Sequence, residues 1–393
     1  MPDRRTFLGA SSAALMTALV RSGAAFAAAP GEARLVTIVL RGGLDGLHAL
    51  APFADPDYQK LRPRLALGGA RLDVTPLSLD GYFGLHPALA PLEKLYREKE
   101  LLIVPAAATA YRQRSHFDGQ NMLENGSGAP YGARDGWLNR ALLGLNDFDR
   151  RLGLALGPAV PLILQGDAPV QAWSDSKSPE VDADFLLRLQ QVYASDPLFL
   201  DALHDAQGAL KPDLDKAMLD GTRGAAKETR LAAHAAGDLL ARAEGPRVAV
   251  LEIQGWDTHF GQEPRLRNLL AQVADAITTL KGEMQAVWSK TAVLVVSEFG
   301  RTAAENASQG TDHGTGGIAM LAGGAVNGGI IHGAWPGLSQ KALYEGRDLR
   351  AVNAYESLFK AVMIGHLGLD QGFVEDRVLP GSAAHLPADG LLR

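Results

Sequence analysis

Residues 291–317, TAVLVVSEFGRTAAENASQGTDHGTGG, set the tightest limit on what this chain can fold into. The first six are apolar and largely β-branched, which marks a strand buried on both faces, and such strands belong to parallel sheets covered by helices. Everything after them is acidic, hydroxylated, glycine-rich or imidazole-bearing. In an open α/β sheet, ligands gather in the crevice beyond the carboxyl ends of the strands, so Glu298, Arg301, Asp312 and His313 sit where chemistry collects.

The rest of the 393 residues repeats the alternation. Strand-length apolar runs occur at 33–40, 100–108, 152–156, 160–165, 247–254, 317–322 and 329–332. Between them lie helical patterns. One runs over 85–99 from Pro87, and another over 115–125 with Ser115 as cap and Gly126 as stop. A third starts at Pro264, its apolar stripe running through Leu266, Leu269, Leu270, Val273, Ile277, Leu280, Met284 and Val287, and a fourth spans 353–366. Residues 180–244 are rich in Ala, Leu, Asp and Lys without strand signals and read as two or three helices, an insertion over about 175–245. The expected fold is α/β, a three-layer α/β/α sandwich with a mostly parallel central sheet, as one domain over 30–393.

Ten histidines and no cysteine mean that a transition-metal site must use His with Asp or Glu; disulfides and thiolate ligands are excluded. A formal charge of −6, with Lys and Arg scattered, argues against nucleic acid as a partner. At the start of the chain, Arg4-Arg5 precedes the uncharged run Leu8–Val20 and the small-x-small site Ala25-Phe26-Ala27. This resembles a twin-arginine export signal over 1–29, with the export machinery as partner and the periplasm or exterior as destination. The run is shorter than the roughly 20 residues a bilayer demands, and no membrane span is expected in the mature chain.

Three strand ends carry acid or imidazole: Asp45, the Asp257/His259 pair, and Glu298 with Asp312/His313. Asp45 after two glycines is also an ordinary turn residue. Asp257 and His259 alternate on an extended segment and so point the same way, as chelation requires, though a capping Asp beside a surface His reads equally well. Ser115 is either a helix cap or a hydroxyl nucleophile.

The strings LRGGLDGLHALAP (40–52), SHFDGQNMLENG (115–126), GWDTHFGQ (255–262), SEFGRT (297–302) and TDHGTGG (311–317) resemble a family of unknown function, domain-of-unknown-function family 1501, within the alkaline-phosphatase-like superfamily of sulfatases and phosphatases. The resemblance covers nearly all of the mature chain. It implies a hydroxyl nucleophile, Ser115, and one or two divalent ions of zinc, manganese, iron or calcium. The ligands it implies are Asp45, Asp257, His259, Glu298, Asp312 and His313, with Arg301 or Arg114 balancing charge on the anion. The implied activity is exported, metal-dependent hydrolysis of a phosphate, sulfate or phosphonate ester; the alternative is a binding protein that has lost the reaction. One departure stands out. Glu298-Phe299-Gly300 falls where the superfamily has Asp-His-Gly, and Phe299 cannot replace a histidine. Either Asp312 or His116 fills the gap, or one metal position is empty.

Overall fold

The computed structural model describes residues 32–145, 152–175, 183–194 and 223–393, with 196, 200, 212 and 213. The expected export signal and part of the expected 175–245 insertion lie outside the described residues. Within that insertion, helices occupy Ala183–Tyr193 and Ala225–Ala241.

One large sheet organises the chain. Its strands, in chain order, are β1 (Arg34–Arg41), β2 (Leu101–Ala108), β3 (Gly153–Leu156), β4 (Val170–Trp173), β5 (Val248–Gln254), β6 (Thr291–Ser297), β7 (Gly317–Ala322), β8 (Ile330–Ile331) and β9 (Asn353–Ala354). In space the order is β8-β2-β7-β6-β1-β5-β3-β4, with β9 also on β2. All pairings are parallel except those of β7, which runs antiparallel to both β6 and β2. The reason lies in 298–316, which holds no helix: without a crossover element the chain re-enters the sheet from the edge it left. A small antiparallel sheet, Leu50–Ala51, Leu77–Ser78 and Gly84–Leu85, stands apart.

Strand alternation builds the layers. Val36, Ile38 and Leu40 of β1 enter a cluster with Leu239 of α1 (Ala225–Ala241) and Leu266, Leu270, Val273 and Ile277 of α2 (Gln262–Glu283). Leu35 and Val39 enter the opposite cluster with Trp137, Leu138, Tyr355, Phe359 and Val362. Each such aliphatic side chain, fully buried, contributes roughly 1.5–3 kcal/mol, and both faces of the sheet are covered. The α/β/α expectation holds.

Two local expectations fail. Residues 160–165 form no strand; Leu162–Leu164 is a single 3-10 turn and the strand comes later, at β4. The closing helix is α-helical only over Tyr355–Lys360 and widens to a π-helix over Ala361–His366. In the first case a short apolar run is buried as a turn, which periodicity cannot tell from a strand.

The topology decides where the site stands. β1, β2, β5 and β6 run the same way, and their carboxyl ends, Arg41, Ala108, Gln254 and Ser297, share one edge, the edge at which β7 begins.

Candidate metal centre

Three histidines and one aspartate meet beyond that edge. His116 is the first residue of α3 (His116–Asn125), the helix that follows β2 and stops at Gly126 in the left-handed conformation, φ 63°. His313 lies on the loop into β7; Asp257 and His259 follow β5.

The second nitrogen of each imidazole fixes its proton. His116 Nδ1 is 2.8 Å from Oε1 of Glu298, and only a donor can face a carboxylate there. His313 Nδ1 is 3.0 Å from the Arg114 carbonyl oxygen. His259 Nδ1 is 3.1 Å from Asp312 Oδ1. All three rings therefore carry hydrogen on Nδ1 and turn Nε2 inward. The Nε2 atoms of His116 and His313 are 2.9 Å apart, and those of His259 and His313 are 3.0 Å apart. Asp257 Oδ1 stands 3.5 Å from Nε2 of His116, 3.0 Å from that of His259 and 3.1 Å from that of His313. Neutral imidazole lone pairs and a carboxylate repel at such distances unless a cation or a proton lies among them. The ligand atoms of His116, Asp257 and His313 all lie within 4.8 Å of one another, the only such group of three or more among the described residues. Imidazole with carboxylate suits zinc and its neighbours, so the residues fit a divalent ion.

The supporting residues are as ordered as the ligands. Glu298 is fully buried; its Oε1 also accepts the Gly42 N–H at 2.8 Å and Gln120 Nε2 at 3.0 Å, and its Oε2 accepts the Ser297 hydroxyl at 3.0 Å. Glu298 thus orients His116, the carboxylate–histidine arrangement that tunes metal ligands. Burial pushes the Glu298 carboxyl up, but His116 and Gln120 outweigh it and hold it below the usual range. Asp312 does the same for His259 and also accepts Asn306 Nδ2 at 3.1 Å. Burial lowers His116, yet Glu298 and Asp257 reverse the sign and raise it; burial and then the charges of His116 and Arg301 lower His313. Against the upward pull of burial, Arg301, His259 and His116 bring Asp257 down to about 2.

Arg301 is entirely buried and all its nitrogens are committed. Nε donates to Gly43 O at 2.8 Å and Nη1 to Thr311 O at 3.1 Å; Nη2 reaches Gly42 O, Trp256 O and, at 2.6 Å, Asp257 Oδ1. It ties three loops into one floor and holds Asp257 in place. Gly42 lets those loops close up: its φ is 123°, and a Cβ there would lie 2.6 Å from the Asp257 nitrogen. Phe299, 2 % exposed, lies under the cluster, its ring centre 4.8 Å from that of His116 and 5.4 Å from that of His313. Phe299 supplies no ligand where the superfamily pattern has histidine. His116 brings an imidazole into the cluster, while Asp312 stays behind His259.

The other sequence candidates stand outside the cluster. Asp45 is buried and paired with Arg62 at 2.7 Å, and its Oδ2 also accepts Gln262 Nε2 at 2.6 Å; Oδ1 has no partner. A cation, Arg62, already answers this carboxylate. Ser115 has cap-like backbone angles but makes no capping bond. Its N–H donates to the Tyr111 phenol oxygen at 3.2 Å, while Tyr111 donates to Asp118 at 3.2 Å. Arg114, at φ 63°, is held by Asp348 at 2.7 Å and Glu345 at 2.6 Å. Sequence reasoning raised His116 only as a substitute for the missing histidine, and it passed over Gln120, Arg62 and Gln262. The signal for His116 was its place in SHFDGQ, directly after the helix cap at a strand's carboxyl edge. A pocket of about 240 Å³ opens beside Asp312, between Leu61, Leu343, Asn306 and Arg347.

Comparison with known proteins adds a family. The family described as protein of unknown function (DUF1501) matches residues 106–378. No curated protein matches the chain. Among solved structures, Ps i-CgsB is similar at TM-score 0.41 and 12% identity over 88% of this chain and 75% of that one. A putative sulfatase from Bacteroides thetaiotaomicron gives 0.37 and 9% over 77% and 67%. The phosphonate monoester hydrolase of Agrobacterium radiobacter gives 0.34 and 10% over 86% and 74%. Likenesses this distant carry no argument about chemistry, which rests on the residues of the cluster.

Proposed function

The chain belongs to the DUF1501 family of proteins of unknown function, and from that premise we propose that it is a metal-dependent hydrolase of phosphate esters or of related sulfate and phosphonate esters. One observation carries the reading: three imidazole lone pairs and a carboxylate turned on one another at about 3 Å, each held by its own second hydrogen bond.

His116, Asp257 and His313 would hold the ion, with His259 beside them; Glu298 and Asp312 orient the imidazoles and Arg301 fixes Asp257. A divalent ion so held supplies Lewis acidity toward the non-bridging oxygens of the ester. Ser115 is the nucleophile in this reading. It is half-buried, takes no part in capping, and directly precedes a ligand. Tyr111, which accepts the Ser115 N–H and donates to Asp118, would offer the proton an exit: as the serine oxygen attacks phosphorus or sulfur, the proton passes to Tyr111 Oη and the phenolic proton passes to Asp118. The ester bond to the leaving group breaks, the departing alkoxide takes a proton from water, and water later cleaves the ester on Ser115. Arg301 is buried and held by five protein oxygens, so among the arginines charge balance falls to Arg114 at the rim.

The resemblance of residues 1–29 to a twin-arginine signal supports a protein exported folded, with the export machinery as partner. Among the described residues no helix is long and apolar enough to cross a membrane.

Two features favour a second reading, a binding or partner protein that keeps the fold without the reaction: Phe299 under the cluster and Arg62 on Asp45. Turnover separates the two. Elemental analysis of the purified chain should find about one divalent ion per chain, lost in Asp257→Ala and His313→Ala. An absence of metal in the wild type overturns the mechanism. With 4-nitrophenyl phosphate and sulfate, Ser115→Ala should lose turnover; equal rates in variant and wild type exclude Ser115 as nucleophile, and no turnover in a metal-loaded wild type favours the binding protein.

A further inference from the structure

Two buried threonines stand behind the candidate ligands. Thr258 lies between Asp257 and His259, neither of which is buried, and Thr311 lies beside Asp312 and His313, which are half-buried. Successive side chains of an extended segment face opposite ways, so each loop turns ligands outward to the cluster and its threonine into the protein. Both hydroxyls end on a single atom: Thr258 Oγ1 donates to Gln262 Oε1 at 3.0 Å, and Thr311 Oγ1 donates to the same oxygen at 2.6 Å.

Gln262, the first residue of α2, is itself fully buried, and its other end is fixed. Its Nε2 donates to Asp45 Oδ2 at 2.6 Å, and that oxygen also accepts Arg62 Nη1 at 2.7 Å. An ionised carboxylate only accepts, so the amide cannot flip and Oε1 must face the threonines. Burial pushes the Asp45 carboxyl up, but Arg62 outweighs it and holds it below the usual range. Arg62 reaches the second loop by its own route as well: Nη2 donates to Thr302 O and Nε to Ala303 O, each at 2.8 Å, and the Thr302 hydroxyl accepts the Asp312 N–H at 3.1 Å. A buried ion pair loses so much solvation that it is a weak source of stability, which leaves fixed geometry as what this one supplies.

We propose that Arg62, Asp45 and Gln262 form a buried brace that sets the spacing of the two ligand loops, with Gln262 as the positioning residue that holds Asp257 and His259 against His313. The atoms so placed are His313 Nε2, 3.0 Å from His259 Nε2 and 3.1 Å from Asp257 Oδ1. Main-chain bonds join the same loops, Thr311 N–H to Thr258 O at 3.1 Å and Gln262 N–H to Gln309 O at 2.9 Å. The backbone therefore stays zipped when one hydroxyl is lost, and what shifts is the fine spacing of the ligands. The brace rests on the hydrolase reading only through the metal ion that both require.

The test needs no turnover. Zinc affinity of the purified full chain is measured by competition with a chromophoric chelator, and the visible spectrum of the cobalt-loaded chain reports ligand geometry. Thr258→Val and Thr311→Val each remove one hydroxyl; each should weaken zinc binding about tenfold and shift the cobalt bands. Thr258→Ser and Thr311→Ser keep the hydroxyl and should match the wild type in both. A bridge is broken from either end, so the double valine variant should lose little more than one single variant. Gln262→Met removes the shared acceptor and should match the double variant; should that chain fail to fold, the threonine series decides alone. Wild-type affinity and spectrum in the double valine variant, single losses that multiply to about a hundredfold, or serine variants as weak as the valine ones overturn the brace and leave the hydrolase reading standing. A wild-type chain that binds no zinc overturns both.

Discussion

Two histidines outside the candidate metal centre make the sharpest stability prediction. His48 is fully buried and His86 is 1 % exposed, with ring centres 5.2 Å apart. His86 Nδ1 accepts the Ala88 N–H at 3.0 Å, capping the turn Pro87–Leu89, so its proton must sit on Nε2, which has no partner. Neither nitrogen of His48 has a well-aligned partner; the main chain at Leu65 offers only a poor contact. Burial drives His48 down to about 3; the carboxylate of Asp45 opposes this, and the charges of His86 and Arg62 add to it. Burial and then Arg267 bring His86 down to about 4. Both rings are thus neutral when folded, whereas the unfolded chain protonates them near 6.5. The unfolded state binds more protons below that value, so the stability these groups permit is complete above about pH 6.5 and is lost as pH falls toward their folded values. Each group costs about 1.4 kcal/mol per pH unit, roughly 3 kcal/mol by pH 4, so the pair removes about 6 kcal/mol, comparable with the whole stability of many domains. Urea unfolding of the wild type and of a His48→Gln/His86→Asn variant, measured at half-unit steps from pH 7 to 4.5, checks this; Asn keeps a side-chain acceptor for the cap. Between pH 6 and 4.5 the variant's stability should fall less steeply by about two protons, or about 2.7 kcal/mol per pH unit. Parallel curves for the two proteins would refute the reasoning.

Two further outcomes follow from the metal centre. Glu298→Gln keeps the shape but replaces a buried carboxylate that holds the His116 Nδ1 proton; zinc affinity, measured by competition with a chromophoric chelator, should fall 10–100-fold, and an unchanged affinity would show that Glu298 does not orient the ligand. Arg301→Lys leaves one ammonium where a guanidinium serves Gly42, Gly43, Trp256, Thr311 and Asp257; the loss should be about 2–4 kcal/mol in chemical denaturation, together with weaker zinc binding, and a loss under about 0.5 kcal/mol would contradict the role of the clamp.

The fold was legible where burial is two-sided. β1, β2, β5, β6 and β7 are near-continuous apolar runs, and their observed ends lie within about one residue of the sequence reading. α2 was legible from its stripe, although it starts at Gln262, two residues ahead of Pro264. Short elements were read unevenly: Gly153–Leu156 and Ile330–Ile331 fall within the expected 152–156 and 329–332, but Leu162–Leu164 and Val170–Trp173 carry too few residues for a period to declare itself.

By itself the sequence determined the chemical kinds of atom available, imidazole and carboxylate with no thiolate, and the edge of the sheet at which they stand. Tertiary structure alone decided which of those atoms remain free. Asp45 reads in sequence like any other strand-end acid, but Arg62 meets it; Arg301 reads like an anion-binding arginine, but it is buried and five oxygens from three segments hold its guanidinium. His116 joins the cluster because Glu298, 182 residues away, accepts a hydrogen bond from its Nδ1–H and turns Nε2 inward. A ligand is defined by a lone pair left over after every neighbour has taken its share, and those neighbours are set by the packing of distant segments.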